Sequence, residues 1–274
     1  MHIRFVLFSA LILVIMCAPS AHGIEPLRID GEISSLKVLE AVYGKLSTKD
    51  GVPIEPAIWH NIEVPDGLKT YWSEKDGEVY VAFESRYMEN KAEKYILVTQ
   101  TRPYGKPDYQ CHACAPLIGC VVFVKSGSSW VLENENEYIG VIGKWGWLRE
   151  QTIDPDEEDA VKLVKVAAEK HGILIRGDDM HNGYENDYFY LLYPYKGGVK
   201  VALSDWIEGP SASACPDVAA RNKQGISVIF DNTGKSDYYD LSVTKEWNEG
   251  TCGNVKSVKK TIVYEFIGGV YKKK

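Results

Sequence analysis

Hydrophobic and polar positions change rhythm once along this chain. From Ile33 to Leu46 the apolar residues Ile33, Leu36, Leu39, Val42, Tyr43 and Leu46 recur at helical spacing, with Lys37, Glu40 and Lys45 between them. That spacing gathers the apolar side chains on one side of a 3.6-residue turn and predicts a helix. Afterwards short runs of β-branched and aromatic residues take over, at 78–84, 94–101, 120–125, 130–133 and 138–142. They continue at 171–176, 187–193, 199–203, 226–230, 238–244 and 261–266. Asp76-Gly77, Asn182-Gly183, Gly197-Gly198, Gly234 and Gly268-Gly269 punctuate them, which predicts antiparallel strands joined by hairpins. The expected fold is mainly β, with sandwich-like antiparallel sheets and an N-terminal α-helix.

Residues 156–170 fit two patterns. Asp154-Pro155 suits the start of a helix closed by Gly172, whereas Val161, Leu163, Val164 and Val166 with intervening lysines suit a strand turning at His171-Gly172. We read a strand. The halves also echo each other, an aromatic-rich strand (95–98; 188–193) preceding one of small and β-branched residues (121–124; 199–203). That suggests two β-modules, 24–150 with the helix and an early cysteine cluster, and 151–274, unless they form one continuous domain.

Arg4, the apolar run Phe5 to Met16, Pro19 and the small residues before Gly23 form the pattern of a cleaved export signal over 1–23. A helix of that run covers about 18 Å, short of the roughly 30 Å hydrocarbon core, and no later stretch approaches a membrane span. The expected location is periplasmic or secreted. A lipid anchor through Cys17 is disfavoured by bulky Met16. Arg4 is the one charged residue removed with the leader, leaving 30 basic against 38 acidic residues. An acidic surface repels phosphate backbones and anionic lipids, so nucleic acid is not an expected partner. The acidic runs 133–137 and 154–159 read as solvated loops, and Lys272-Lys273-Lys274 as a frayed end.

Export changes the meaning of the cysteines. Cys111, Cys114, Cys120, Cys215 and Cys252 remain, an odd count that allows two disulfides and one thiol in fifteen arrangements. Proximity pairs Cys111 with Cys114, and the two late loop cysteines Cys215 and Cys252 suit each other, which leaves Cys120 as the free thiol. The alternative is redox or metal chemistry at Cys111, Cys114 and Cys120. Disulfide exchange wants a helix after the second cysteine, but Ala115 to Gly119 lead into a strand. Zinc wants a second ligand pair, and none follows. A c-type haem needs a histidine where Ala115 stands. We therefore expect no metal, no cofactor and a structural bridge.

Catalytic signatures are scarce. No Gly-x-Ser-x-Gly or His-Glu-x-x-His occurs, and Ser34-Ser35-Leu36-Lys37 matches Ser-x-x-Lys without its partner motifs. His60, His112, His171 and His181 lack metal-ligand spacing and read as surface or turn residues. The acidic stretches 178–187 and 231–237 fall short of a calcium loop and read as hairpin turns. Among seven tryptophans, Trp145 and Trp147 in the turn Gly143-Lys144-Trp145-Gly146-Trp147 are the best exposed candidates for a binding platform, together with His112.

The stretch Asp108-Tyr109-Gln110-Cys111-His112-Ala113-Cys114-Ala115-Pro116-Leu117-Ile118-Gly119, followed by a β run and Trp130, resembles uncharacterised bacterial exported proteins. Those carry a Cys-His-Ala-Cys-x-Pro-x-x-Gly segment, a later Gly-x-Trp-Gly turn and a β-rich second half. The likeness covers residues 33–150 and implies fold and localisation, with no activity attached; Cys120 departs from the pattern and leaves the pairing open. The expectation is an exported, disulfide-stiffened binding or interaction protein for an unknown protein, peptide or glycan ligand. A structural component of the cell envelope is a further alternative.

Overall fold

The computed structural model describes residues 26–64, 72, 75–106, 114–143, 148, 161–181, 184–211, 225–232, 237–251 and 254–274. The leader, Cys111, His112, the Trp145–Trp147 turn, Cys215, Cys252 and the run 154–159 lie outside them. The chain is mainly β, in antiparallel sheets with one short helix.

β1 (Arg28–Asp30) leads into α1 (Ser35–Tyr43). Ser34 caps the helix with extended backbone, its hydroxyl accepting from the Lys37 N–H at 3.5 Å. The Ser-x-x-Lys match is thus a capping arrangement. Gly44, at φ 111°, ends the helix in a conformation that side chains rarely adopt. The helix is shorter than its periodicity suggested, because Ile33 precedes the cap and Leu46 opens the next strand.

β2 (Leu46–Lys49), β3 (Val52–Trp59), β4 (Gly77–Glu89), β5 (Ala92–Pro103), β6 (Leu117–Ser126) and β7 (Ser129–Val141) join β1 in a seven-stranded sheet, ordered β1-β7-β6-β5-β4-β3-β2. Its middle strands are buried on both faces. Tyr95 and Leu97 of β5 and Val121 and Phe123 of β6 pack with Val38, Leu39 and Tyr43 of α1, while Ile96, Val98, Ile118, Cys120 and Val122 face the other way. Burial on two sides explains why these strands read as unbroken apolar runs.

A second sheet, β8 (Val161–Ala167), β9 (Lys170–His181), β10 (Tyr184–Tyr195) and β11 (Gly198–Ser211), covers that far face. Ile173, Ile175, Leu192 and Val199 share a core with Ile96, Val98 and Val122. Its opposite side places Leu174, Phe189, Leu191 and Tyr193 against Leu241, Val243 and Tyr271 of a third sheet. That sheet is β12 (Gly225–Asp231), β13 (Asp240–Thr251), β14 (Asn254–Ile267) and β15 (Val270–Lys273). The helix and the three sheets therefore stack in four layers. A polar fastener also joins the last two, where Lys245 pairs with Asp205 and donates to the Trp206 carbonyl at 2.8 Å, and Tyr264 donates to Asp205 at 3.0 Å. The second half holds two sheets, and each sheet shares a core with its neighbour.

Three local expectations change. Residues 133–137 are the middle of β7, where register shifts opposite β6 accommodate them, and Asn134 is buried. Residues 161–167 are a strand, but the turn falls at Ala168-Glu169. Gly172 lies within β9, where a Cβ would sit 2.8 Å from the Leu192 carbonyl oxygen. The acidic stretch at 178–187 is largely paired strand, Asp178 opposite Asp187 and Asp179 opposite Asn186.

Candidate functional site

The register places Thr101, Leu117 and Val141 side by side, so the connection from β5 to β6 and the exit of β7 leave the first sheet at one end. Two bonds tie the flanks together. The Ile142 N–H donates to the Pro116 carbonyl at 3.4 Å, and the Leu148 N–H donates to the buried Gln100 Oε1 at 2.9 Å. Pro116, Ile142 and Leu148 are thus held together at this end of the sheet. Cys114 is buried at this end. A small apolar cluster of Ile62, Trp72 and Leu117, backed by Trp59, Val64 and Val141, closes this end.

On the same face as the helix lies a polar floor. Glu135 stands opposite Val121, whose side chain faces α1, and Thr99 stands opposite Gly119. The Tyr43 and Thr99 hydroxyls are 2.9 Å apart over Gly119, where a Cβ would lie 2.7 Å from each of them. Burial pushes the Tyr43 phenol well above its ordinary range, with Glu137 and Glu135 adding repulsion. Burial also raises the carboxyls of Glu135 and Glu137, and Glu137 raises Glu135 further. Among the described residues neither carboxylate faces a cation. Two acceptors without donors, beside a phenol on an enclosed sheet face, are equipped to take hydrogen bonds or positive charge from outside the chain.

The seam between the first and second sheets holds a different cluster. Lys94 of β5 lies 2.8 Å from Glu89 and 2.6 Å from Glu133, with the Glu89 and Lys94 side chains only 7% and 11% exposed. Burial works against the Lys94 ammonium, but the two hydrogen-bonded carboxylates outweigh it and hold its pKa above the usual lysine value. The His171 backbone N–H donates to Glu89 Oε1 at 3.4 Å, and the imidazole lies 5.0 Å from the Tyr87 ring. His171 therefore sits in an interior seam and not on a surface turn. Cys120 is a free, fully buried thiol on this side of the sheet, and burial pushes it far above the range in which a thiolate forms.

The sequence reading predicts neither acidic site. The alternation Glu133-Asn134-Glu135-Asn136-Glu137, continuous with Trp130 to Leu132 before it and Tyr138 to Val141 after it, is a period-two signal that charge obscured. Glu89 and Lys94 left no signal, because only hairpin closure and the crossing of β7 bring them together. Among the described residues no group of three or more His, Cys, Asp or Glu is placed to hold a metal ion. No helix is long and apolar enough to cross a membrane. No family model, curated protein or solved structure matches this chain.

Proposed function

We propose that this is an exported ligand-binding protein whose binding site is the end of the first sheet where β5, β6 and the exit of β7 meet. The observation that carries the reading is the pair Glu135 and Glu137, half-buried acceptors with raised carboxyl pKa values and, among the described residues, no cation beside them. A fold that needs only stability has no use for such a pair, since burying an uncompensated carboxylate is costly. A peptide or glycan supplies the missing donors, and the tryptophans of 145–147 lie close enough in sequence to contribute flat apolar contact. In this reading a bridge between Cys111 and Cys114 shapes the loop beside the site, and Cys215 with Cys252 makes the second bridge. Cys120 takes no part, being buried at the opposite face.

The test is a glycan and peptide array probed with the exported protein, followed by titration calorimetry of any hit. Binding that weakens severalfold or more in both Glu135→Gln and Glu137→Gln supports the proposal. Hits indifferent to both substitutions, or no hits, would remove it. Intact mass under non-reducing conditions, with and without thiol alkylation, checks the cysteines. The expected product starts at Ile24 and carries one alkylated thiol; three free thiols among Cys111, Cys114 and Cys120 would return redox or metal chemistry to first place.

A further inference from the structure

The seam between the first and second sheets holds two polar side-chain atoms buried without a partner, the Tyr87 hydroxyl and His171 Nδ1. They belong to rings in contact, 5.0 Å between centroids and tilted at 60°. His171 is the second residue of β9, just past the Ala168-Glu169 turn, so it stands where the β8–β9 hairpin meets the β4–β5 hairpin. The His171 backbone is held there by Glu89.

We propose that this seam is a proton-sensitive joint, with His171 as the sensor that loosens the β8–β9 hairpin from the first sheet in acid. The argument is one of unsatisfied valence. A neutral imidazole leaves at Nδ1 either a lone pair or a single N–H, whereas the protonated ring must place two donors and a positive charge. The groups around it decide whether that charge is welcome. β4 contributes Tyr87 and Glu89, β5 contributes Lys94, and β7 contributes Glu133 through its bond to Lys94. β8 contributes Lys165, and the turn contributes the exposed Glu169.

Glu89 is the carboxylate in contact, and it already accepts from Lys94 and from the His171 N–H. Two ammonium groups repel the imidazolium, and the Tyr87 oxygen offers a weak neutral acceptor. Burial, aided by Lys165 and Lys94 and opposed by Glu89 and Glu169, holds the imidazole below the ordinary histidine range. Protonation then leaves an Nδ1–H donor with no acceptor in the seam unless Glu89 leaves Lys94 or the hairpin moves toward water. The sign follows from linkage. A histidine with a lowered folded pKa leaves the unfolded or opened state holding more protons, so the closed seam loses stability as pH falls below about 6.5, the unperturbed value.

Hydrogen exchange read by mass spectrometry at pH 7.5 and 5.5, corrected for the intrinsic pH dependence of exchange, tests this on the full-length exported protein. Amides of β8 and β9 are expected to lose protection severalfold at pH 5.5 relative to the β13–β14 pair. The response should vanish in His171→Phe, which keeps the ring contact without a titrating group, and in His171→Gln, which keeps polarity; either variant that folds suffices. An NMR titration of His171 in the native protein should give a midpoint below that of the unfolded chain. Equal protection at the two pH values, or a pH response that survives in the variants, would overturn the proposal.

Discussion

Replacing Lys94 by methionine removes an ammonium lodged between two carboxylates and leaves the volume nearly unchanged. In the native structure Lys94 Nζ lies 2.8 Å from Glu89 and 2.6 Å from Glu133, and the Glu89 side chain is 7% exposed. Without the amine, Glu89 is a buried carboxylate left with only the long bond from the His171 backbone N–H, a state that costs about 3–5 kcal/mol. For a chain of this length each kcal/mol displaces Tm by roughly 2–4 °C, so thermal unfolding should begin at least about 6 °C lower. Glu133→Gln should cost only about 1 kcal/mol or less, because Glu133 is 35% exposed and the amide still bonds Lys94. The double change Lys94→Met with Glu89→Leu should recover most of the loss, since an apolar pair of similar volume replaces a buried ion pair at little cost. Circular dichroism melts and urea titrations at low and high salt measure all three. A Lys94→Met loss under about 1 kcal/mol that shrinks further in salt would mean the cluster is solvated, and the burial argument fails.

Further outcomes follow from the same structure. Gly119→Ala should destabilise by about 1–3 kcal/mol in urea unfolding, because the new methyl meets Tyr43, Thr99 and the Glu137 carbonyl, whereas Gly140→Ala, facing open space, should change little. Glu135→Gln and Glu137→Gln should raise Tm at pH 7: a carboxyl whose folded pKa is raised stabilises the fold only while protonated and loses that contribution as pH rises through the folded value. At pH 4 the variants should match the native protein, and equal Tm values at pH 7 would refute the unfavourable burial of the pair. Cys120 should resist thiol reagents in the folded state and react at a rate set by opening of the core; fast labelling under native conditions would contradict its burial.

Local pattern in the chain was enough for the class of fold. The helix at 35–43 was visible because one amphipathic stripe needs only its own spacing, and most long strands were visible because β-branched and aromatic runs alternate with turn residues. β3 went unseen because Pro53 and Pro56 argue against a strand until β2 and β4 are known to flank it. The third sheet was hidden for a related reason. β12 to β15 carry the same alternation as β8 to β11, and alternation records that a strand has an inner face without recording which sheet it faces.

Tertiary structure alone assigned the charged residues. Glu133, Glu135 and Glu137 look alike in sequence, yet register with β6 and the reach of Lys94 give the first a cation and, among the described residues, leave the other two without one. His171 resembles any histidine beside a glycine, and only the packing of β9 on the β4–β5 hairpin turns it inward against Tyr87. Hydrophobic periodicity is a property of neighbours along the chain, so it can be read one segment at a time. The solvation and pairing of a charge depend on residues brought near from far along the chain, as Glu89 is to His171 across 82 positions, and folding alone settles them.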